Sequence, residues 1–130
     1  MTDYAKLTLV GTYSKAATYT PAKVHMEPDA YALTPDEYMH VEVQADTGDT
    51  VLNTSHLASV TTLVIKNNDT TNYVKAKWRS AEYDGSAVKD NQLRIAPGGF
   101  LVTTDFTTAN SLTLTANSAA CECEVLIFGS

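Results

Sequence analysis

A strict alternation of apolar and basic residues constrains the fold of this chain more than any other feature. Within residues 72–80 the even-numbered positions include apolar Val74, Ala76 and Trp78, and the odd-numbered positions include basic Lys75, Lys77 and Arg79. Successive side chains of a β-strand point to opposite faces, whereas a helix repeats every ~3.6 residues. The pattern therefore predicts a strand with one face in a core and the other in solvent. It also predicts that Trp78 packs in the core rather than under a stacked ligand.

Similar segments recur along the chain and are separated by turn residues. The clearest are 7–10, 38–44, 60–66, 92–95, 100–103, 112–115 and 121–128, and weaker ones are 17–26, which contains Pro21, and 50–53. Pro97-Gly98-Gly99 predicts a tight turn, because proline presets its own φ and glycine accepts the positive φ that follows. Thr34-Pro35-Asp36-Glu37 predicts one short helical turn at most. No long helical pattern occurs, so we expect an all-β fold, an antiparallel β-sandwich of jelly-roll type with about eight to ten strands.

The length and charge of the chain limit its architecture and its partners. At 130 residues it has the size of one domain, and no linker or repeat suggests a boundary within 1–130. Its net charge of −6 argues against nucleic acid as a partner, because phosphate binding needs clustered Lys and Arg. The sequence has no apolar run of membrane-spanning length and no signal-peptide pattern in residues 1–6. We therefore expect synthesis in the cytoplasm and no membrane partner.

Residues 1–38 are less regularly patterned than the rest and contain five of the seven tyrosines. These are Tyr4, Tyr13, Tyr19, Tyr31 and Tyr38. Tyrosine is favoured in protein interfaces because it brings a large area and a polar tip with few rotatable bonds. Two interpretations stay open. The tyrosines are ordinary half-buried strand residues, or they belong to a looser N-terminal arm that packs on a neighbouring subunit.

Residues that could carry chemistry are few and scattered. Cys121 and Cys123 share one face of a strand, but a tetrahedral metal site needs about four ligands. They continue an apolar face, which predicts reduced thiols in the core. His25, His40 and His56 are isolated from one another, and no nucleophile or zinc-protease motif occurs. The sequence therefore predicts no catalytic residue, no metal and no cofactor, and a protein that is not an enzyme.

The basic row formed by Lys75, Lys77 and Arg79 also has two interpretations. It would suit a partner that carries carboxylates. Such a row is more often a solvated or edge face that prevents sheets of different molecules from associating, which is the favoured interpretation.

Three segments resemble a recurrent pattern in small structural proteins of tailed bacteriophages. They are Thr62-Leu63-Val64-Ile65-Lys66-Asn67-Asn68-Asp69 with Asn72-Tyr73-Val74, then Gln92-Leu93-Arg94-Ile95-Ala96-Pro97-Gly98-Gly99-Phe100, and finally Cys123-Glu124-Val125-Leu126-Ile127-Phe128-Gly129. The resemblance covers about residues 38–130. It implies a β-sandwich or jelly-roll virion protein without catalytic residues, among which are capsid decoration (cement) proteins and minor tail or fibre components.

We therefore expect a virion structural protein at the capsid surface, synthesised in the host cytoplasm, that stabilises the phage head. Its expected partners are the major capsid protein and other copies of itself, as a homotrimer by analogy with the family. A tail or fibre component is an alternative within the same particle. A carbohydrate-binding module is an alternative from another class, and a small jelly-roll enzyme is a further one.

Overall fold

The computed structural model describes residues 9–13, 22–26, 37–55, 57, 59–81, 85, 87–107 and 110–129. The chain divides into a unit of Met1–Pro35 and a unit of Asp36–Ser130. In the first unit, β1 (Leu9–Tyr13) and β2 (Ala22–Met26) form an antiparallel pair. The strand β2 begins directly after Pro21, which cannot donate to a ladder. None of the described segments forms a helix long and apolar enough to cross a membrane.

The described part of the second unit consists of two four-stranded antiparallel sheets. Its strands are β3 (Glu37–Ala45), β4 (Thr50–Val51), β5 (Val60–Asn67), β6 (Val74–Ala81), β7 (Val88–Ile95), β8 (Phe100–Thr103), β9 (Thr113–Ala116) and β10 (Cys121–Gly129). The first sheet has the order β3-β10-β5-β8 and the second the order β4-β9-β6-β7. This arrangement confirms the predicted all-β sandwich.

The strand order is that of a jelly roll. Strand β3 pairs with β10, β4 with β9, β5 with β8 and β6 with β7, and these pairs alternate between the two sheets. The same order results when one long antiparallel ribbon is wrapped so that successive pairs join opposite sheets.

Apolar side chains from both sheets meet in one core. Its buried members include Leu63, Ile65, Val74, Ala76, Leu114, Val125 and Ile127, each 0% exposed. Burial of one such Leu, Ile or Val side chain contributes about 1.5–3 kcal/mol. Trp78 packs against this core, as predicted, although its indole N–H has no hydrogen-bond partner among the described residues.

Both cysteines are buried in the core as free thiols, which confirms that prediction. Burial raises the pKa of the Cys121 thiol, and it raises the pKa of the Cys123 thiol to about 11. Both side chains therefore remain neutral at physiological pH, as a buried apolar position requires.

The predicted turn at Pro97-Gly98-Gly99 is present. The Gly99 N–H donates to the Ala96 carbonyl at 2.8 Å, and Gly98 has φ +71°. The predicted helical turn is wrong at Glu37, which begins β3 and pairs with Gly129 of β10. Thr34, Pro35 and Asp36 lie outside the described residues.

Candidate docking face on the first sheet

The outward positions of the first sheet line up in rows across its four strands. One row is Glu42, Glu124, Lys66 and Phe100, the next is His40, Leu126, Val64 and Val102, and the third is Tyr38 and Phe128, beside which Thr62 is fully buried. Gln44 and Glu122 continue the surface beyond the first row. We call this surface, formed by the outward side chains of β3, β10, β5 and β8, the docking face.

One end of the docking face is apolar and open to solvent. Tyr38 is 69% exposed, Phe100 60% and Val102 49%. Val64, Leu126 and Phe128 are half-buried between them. Single exposed apolar residues are normal on soluble proteins, but neighbouring ones in one patch mark an interaction surface.

The opposite end of the docking face is acidic on β3 and β10, whereas Phe100 on β8 continues the apolar patch into the same row. The acidic end carries Glu42, Glu122 and Glu124, and Glu42 lies directly opposite Glu124 in the register. Like charges in that position destabilise a sheet. Lys66 faces Glu124 from β5, and His40 Nε2 lies 2.6 Å from Glu124 Oε1. Since these side chains are largely exposed, the contact with His40 contributes at most about 1 kcal/mol.

The apolar end is smaller than a complete protein interface. Strands lie ~4.8 Å apart and rise ~3.4 Å per residue, so its outermost Cα atoms span about 14 Å by 13 Å. With side-chain width added, this rectangle covers roughly 400 Å², against about 800 Å² per partner in a stable pair. The apolar patch is smaller still, because the rectangle also contains Glu42, Glu124 and Lys66. A single docking face therefore supports weak binding, and repeated copies are needed for tight attachment.

The outward face of the second sheet has a different character. It carries Lys75, Lys77, Arg79 and Arg94, with Thr113, Thr115 and Gln92 beside them. The Arg79 Nε–H donates to Asp90 Oδ1 at 2.9 Å, and the Arg94 guanidinium lies 4.0 Å from the centre of the Tyr73 ring. The sandwich thus presents an apolar and acidic surface on one side and a basic, hydrogen-bonding surface on the other.

The predicted tyrosine interface overlaps the docking face at one residue. Tyr38 lies at its apolar end, across from Phe128. Tyr13 is the last residue of β1, and Tyr4, Tyr19 and Tyr31 lie outside the described residues. The role of these four tyrosines as an N-terminal interface stays a prediction.

Sequence reasoning missed the remaining apolar members of the docking face, although the sequence contains a signal for them. The runs Val125–Phe128 and Phe100–Val102 are apolar at every position instead of at every second one. Unbroken apolar runs indicate strands with apolar side chains on both faces. Their partners across the sheet depend on register, which these short runs do not encode.

In the part of the chain that the structure describes, no three His, Cys, Asp or Glu side chains are grouped so that they could hold a metal ion. Comparison of this chain with family models, with curated proteins and with solved structures found no match.

Proposed function

We propose that this protein is a non-enzymatic structural subunit of a phage virion, a capsid decoration protein that attaches through its docking face. The observation that carries the proposal is the exposed apolar patch beside an acidic end on one broad sheet face. The resemblance of residues 38–130 to small phage structural proteins supports the choice of virion. The occupant of the docking face is then a surface of the major capsid protein that offers apolar side chains next to Lys or Arg.

A second copy of the chain fits the docking face poorly. A two-fold axis across the strands would place Glu122 of one copy on Phe128 of the other, and an axis along the strands would place Glu42 on Phe100. The carboxylates would then lose water without gaining a cation, which costs several kcal/mol for each buried charge. Charge complementarity therefore favours a different protein with a basic surface.

The basic outward face of a second copy is also a poor partner. It offers Lys75 and Lys77 to the acidic end, but Thr113 and Thr115 to the apolar end. Such a head-to-tail contact would also continue from copy to copy into open chains rather than a closed assembly. Trimer formation, which the family resemblance suggests, would use other surfaces and would present three docking faces to the shell at once.

The test adds purified protein to capsid shells prepared without it, from the particle that carries this gene. Val102→Ser removes an exposed valine from the docking face, and Val51→Ser removes one that is 62% exposed on the other sheet. We expect saturable binding that raises the heat resistance of the shells, about tenfold weaker for Val102→Ser and unchanged for Val51→Ser. Absence of saturable binding, or an equal loss in both variants, would refute the proposal.

A further inference from the structure

The outward face of the second sheet contains a cleft that the docking function does not use. Its volume is about 470 Å³, within the usual range for small-molecule sites. Thr113, Lys77 and Gln92 lie side by side on three neighbouring strands and line it. Arg79 and its cross-strand neighbour Asp90 line the next row, and the segment before β9 contributes Asn110.

The cleft contains one positive charge more than its own carboxylate neutralises. Lys77 is half-buried, and no described carboxylate lies within ion-pair distance of it. Arg79 uses its Nε–H for Asp90, so its terminal amino groups remain available. Lys77 and Arg79 are two residues apart on one strand face, about 7 Å between Cα atoms. A ligand with a single negative charge would satisfy this arrangement.

The other groups of the cleft are hydrogen-bonding and neutral. Gln92 contributes an amide, and Thr113 contributes a hydroxyl. Trp78 also lines the cleft, and its partly buried side chain packs against the core. The ligand is therefore expected to carry several hydroxyl groups.

We propose that this cleft binds an acidic saccharide, with the sugar carboxylate on Lys77 and sugar hydroxyls on Gln92 and Thr113. The cleft opens on the opposite side of the sandwich from the docking face, so it stays accessible when that face is occupied. Its presentation on a particle rests on the proposed function, whereas saccharide binding by the isolated protein does not.

The test is a titration of the isotope-labelled full chain, followed by backbone amide chemical shifts, with methyl β-D-glucuronide and methyl β-D-glucoside. These probes differ only at C6, which is a carboxylate in the glucuronide and a hydroxymethyl group in the glucoside. We expect saturable shifts centred on the cleft residues with the glucuronide, and at least about tenfold weaker binding of the glucoside. Lys77→Gln should lower the glucuronide affinity about fivefold or more. Lys75→Gln, with the same charge change on the same strand face outside the cleft, should change it less than about twofold.

Four results would overturn the proposal. They are no saturable shift, equal affinity for the two sugars, equal effects of the two lysine variants, or tighter binding of an acetylated triglutamate peptide than of the glucuronide. The last result would assign the cleft to acidic peptides. Two further measurements keep the proposals separate, because each variant leaves the other surface intact. Lys77→Gln should bind the shells as the parent chain does, and Val102→Ser should bind the glucuronide as the parent chain does.

Discussion

At the scale of single residues, Asn67 is the buried polar group on which the junction of both sheets depends. It is 0% exposed at the end of β5. Its Nδ2 group donates to the carbonyls of Asn72 at 2.9 Å and of Ile95 and Ala96 at 3.3 Å, while Oδ1 accepts from the Asp69 N–H at 3.0 Å. One side chain thus joins β5, the start of β6 and the turn after β7.

We expect Asn67→Ala to lower the free energy of unfolding by about 2–3 kcal/mol, because buried carbonyls and one amide lose their partner. Urea unfolding followed by the fluorescence of Trp78 measures the change. Asn68→Ala is the control, since this neighbour is exposed and should change stability by less than about 0.5 kcal/mol. Equal losses in the two variants would show that the Asn67 hydrogen bonds contribute nothing specific.

The sequence predicts the turn role of the 67–70 segment but not the burial of Asn67. Asparagine side chains that bond their neighbouring backbone are expected wherever Asn and Asp cluster after a strand. The bonds to Ile95 and Ala96 cross to a segment that is distant in sequence, and no local pattern announces them.

At the scale of elements, strands are predicted correctly where apolar and polar residues alternate strongly. Prediction fails where only pairing with a neighbouring strand keeps the segment extended. Strand β10 matches the predicted 121–128 with one added residue. Strand β7 begins at Val88 rather than at the predicted Gln92, and its first residues, Val88-Lys89-Asp90, are exposed. They are extended because Ala81, Ser80 and Arg79 of β6 pair with them, so tertiary context overrides weak local propensity.

The tight turn between β7 and β8 depends on the positive φ of Gly98. An added Cβ would meet no neighbouring atom. Any loss of unfolding free energy in Gly98→Ala therefore comes from the left-handed backbone conformation alone. We expect this variant to lose about 1–2 kcal/mol of unfolding free energy in a urea titration.

Gly48→Ala provides the matched control for the turn. Gly48 also has open space around the added Cβ, but it does not have a positive φ. It should be neutral or slightly stabilised by alanine, because the unfolded chain loses conformational freedom. A Gly98→Ala protein as stable as Gly48→Ala would contradict the assignment of strain to this turn.

At the scale of the whole molecule, the sandwich class is predictable from the sequence, but the jelly-roll order required the structure to verify it. Period-two patterns reveal strands and their inner faces. Partner choice is non-local, since β3 pairs with β10 across most of the second unit. The docking face and the cleft on the second sheet both arise from that pairing, which brings together residues as distant as Tyr38 and Phe128, or Lys77 and Thr113.

The two outward faces of the sandwich differ in charge and polarity. The apolar and acidic face suits attachment to a basic protein surface, and the basic face with its cleft points away from it. On the first sheet Tyr38, Phe100 and Val102 neighbour the acidic residues, whereas on the second sheet the basic row neighbours only the separate exposed residues Val51, Val88 and Leu93.

The most direct test of this account is site-specific photo-crosslinking on assembled particles. Phe100→p-benzoylphenylalanine places the probe on the docking face, and Val51→p-benzoylphenylalanine places it on the opposite sheet at nearly the same exposure, 60% against 62% in the parent chain. We expect a crosslink to a different polypeptide of the particle from position 100 and none from position 51. A crosslink from position 51 alone, or from neither position in particles that contain the protein, would contradict it.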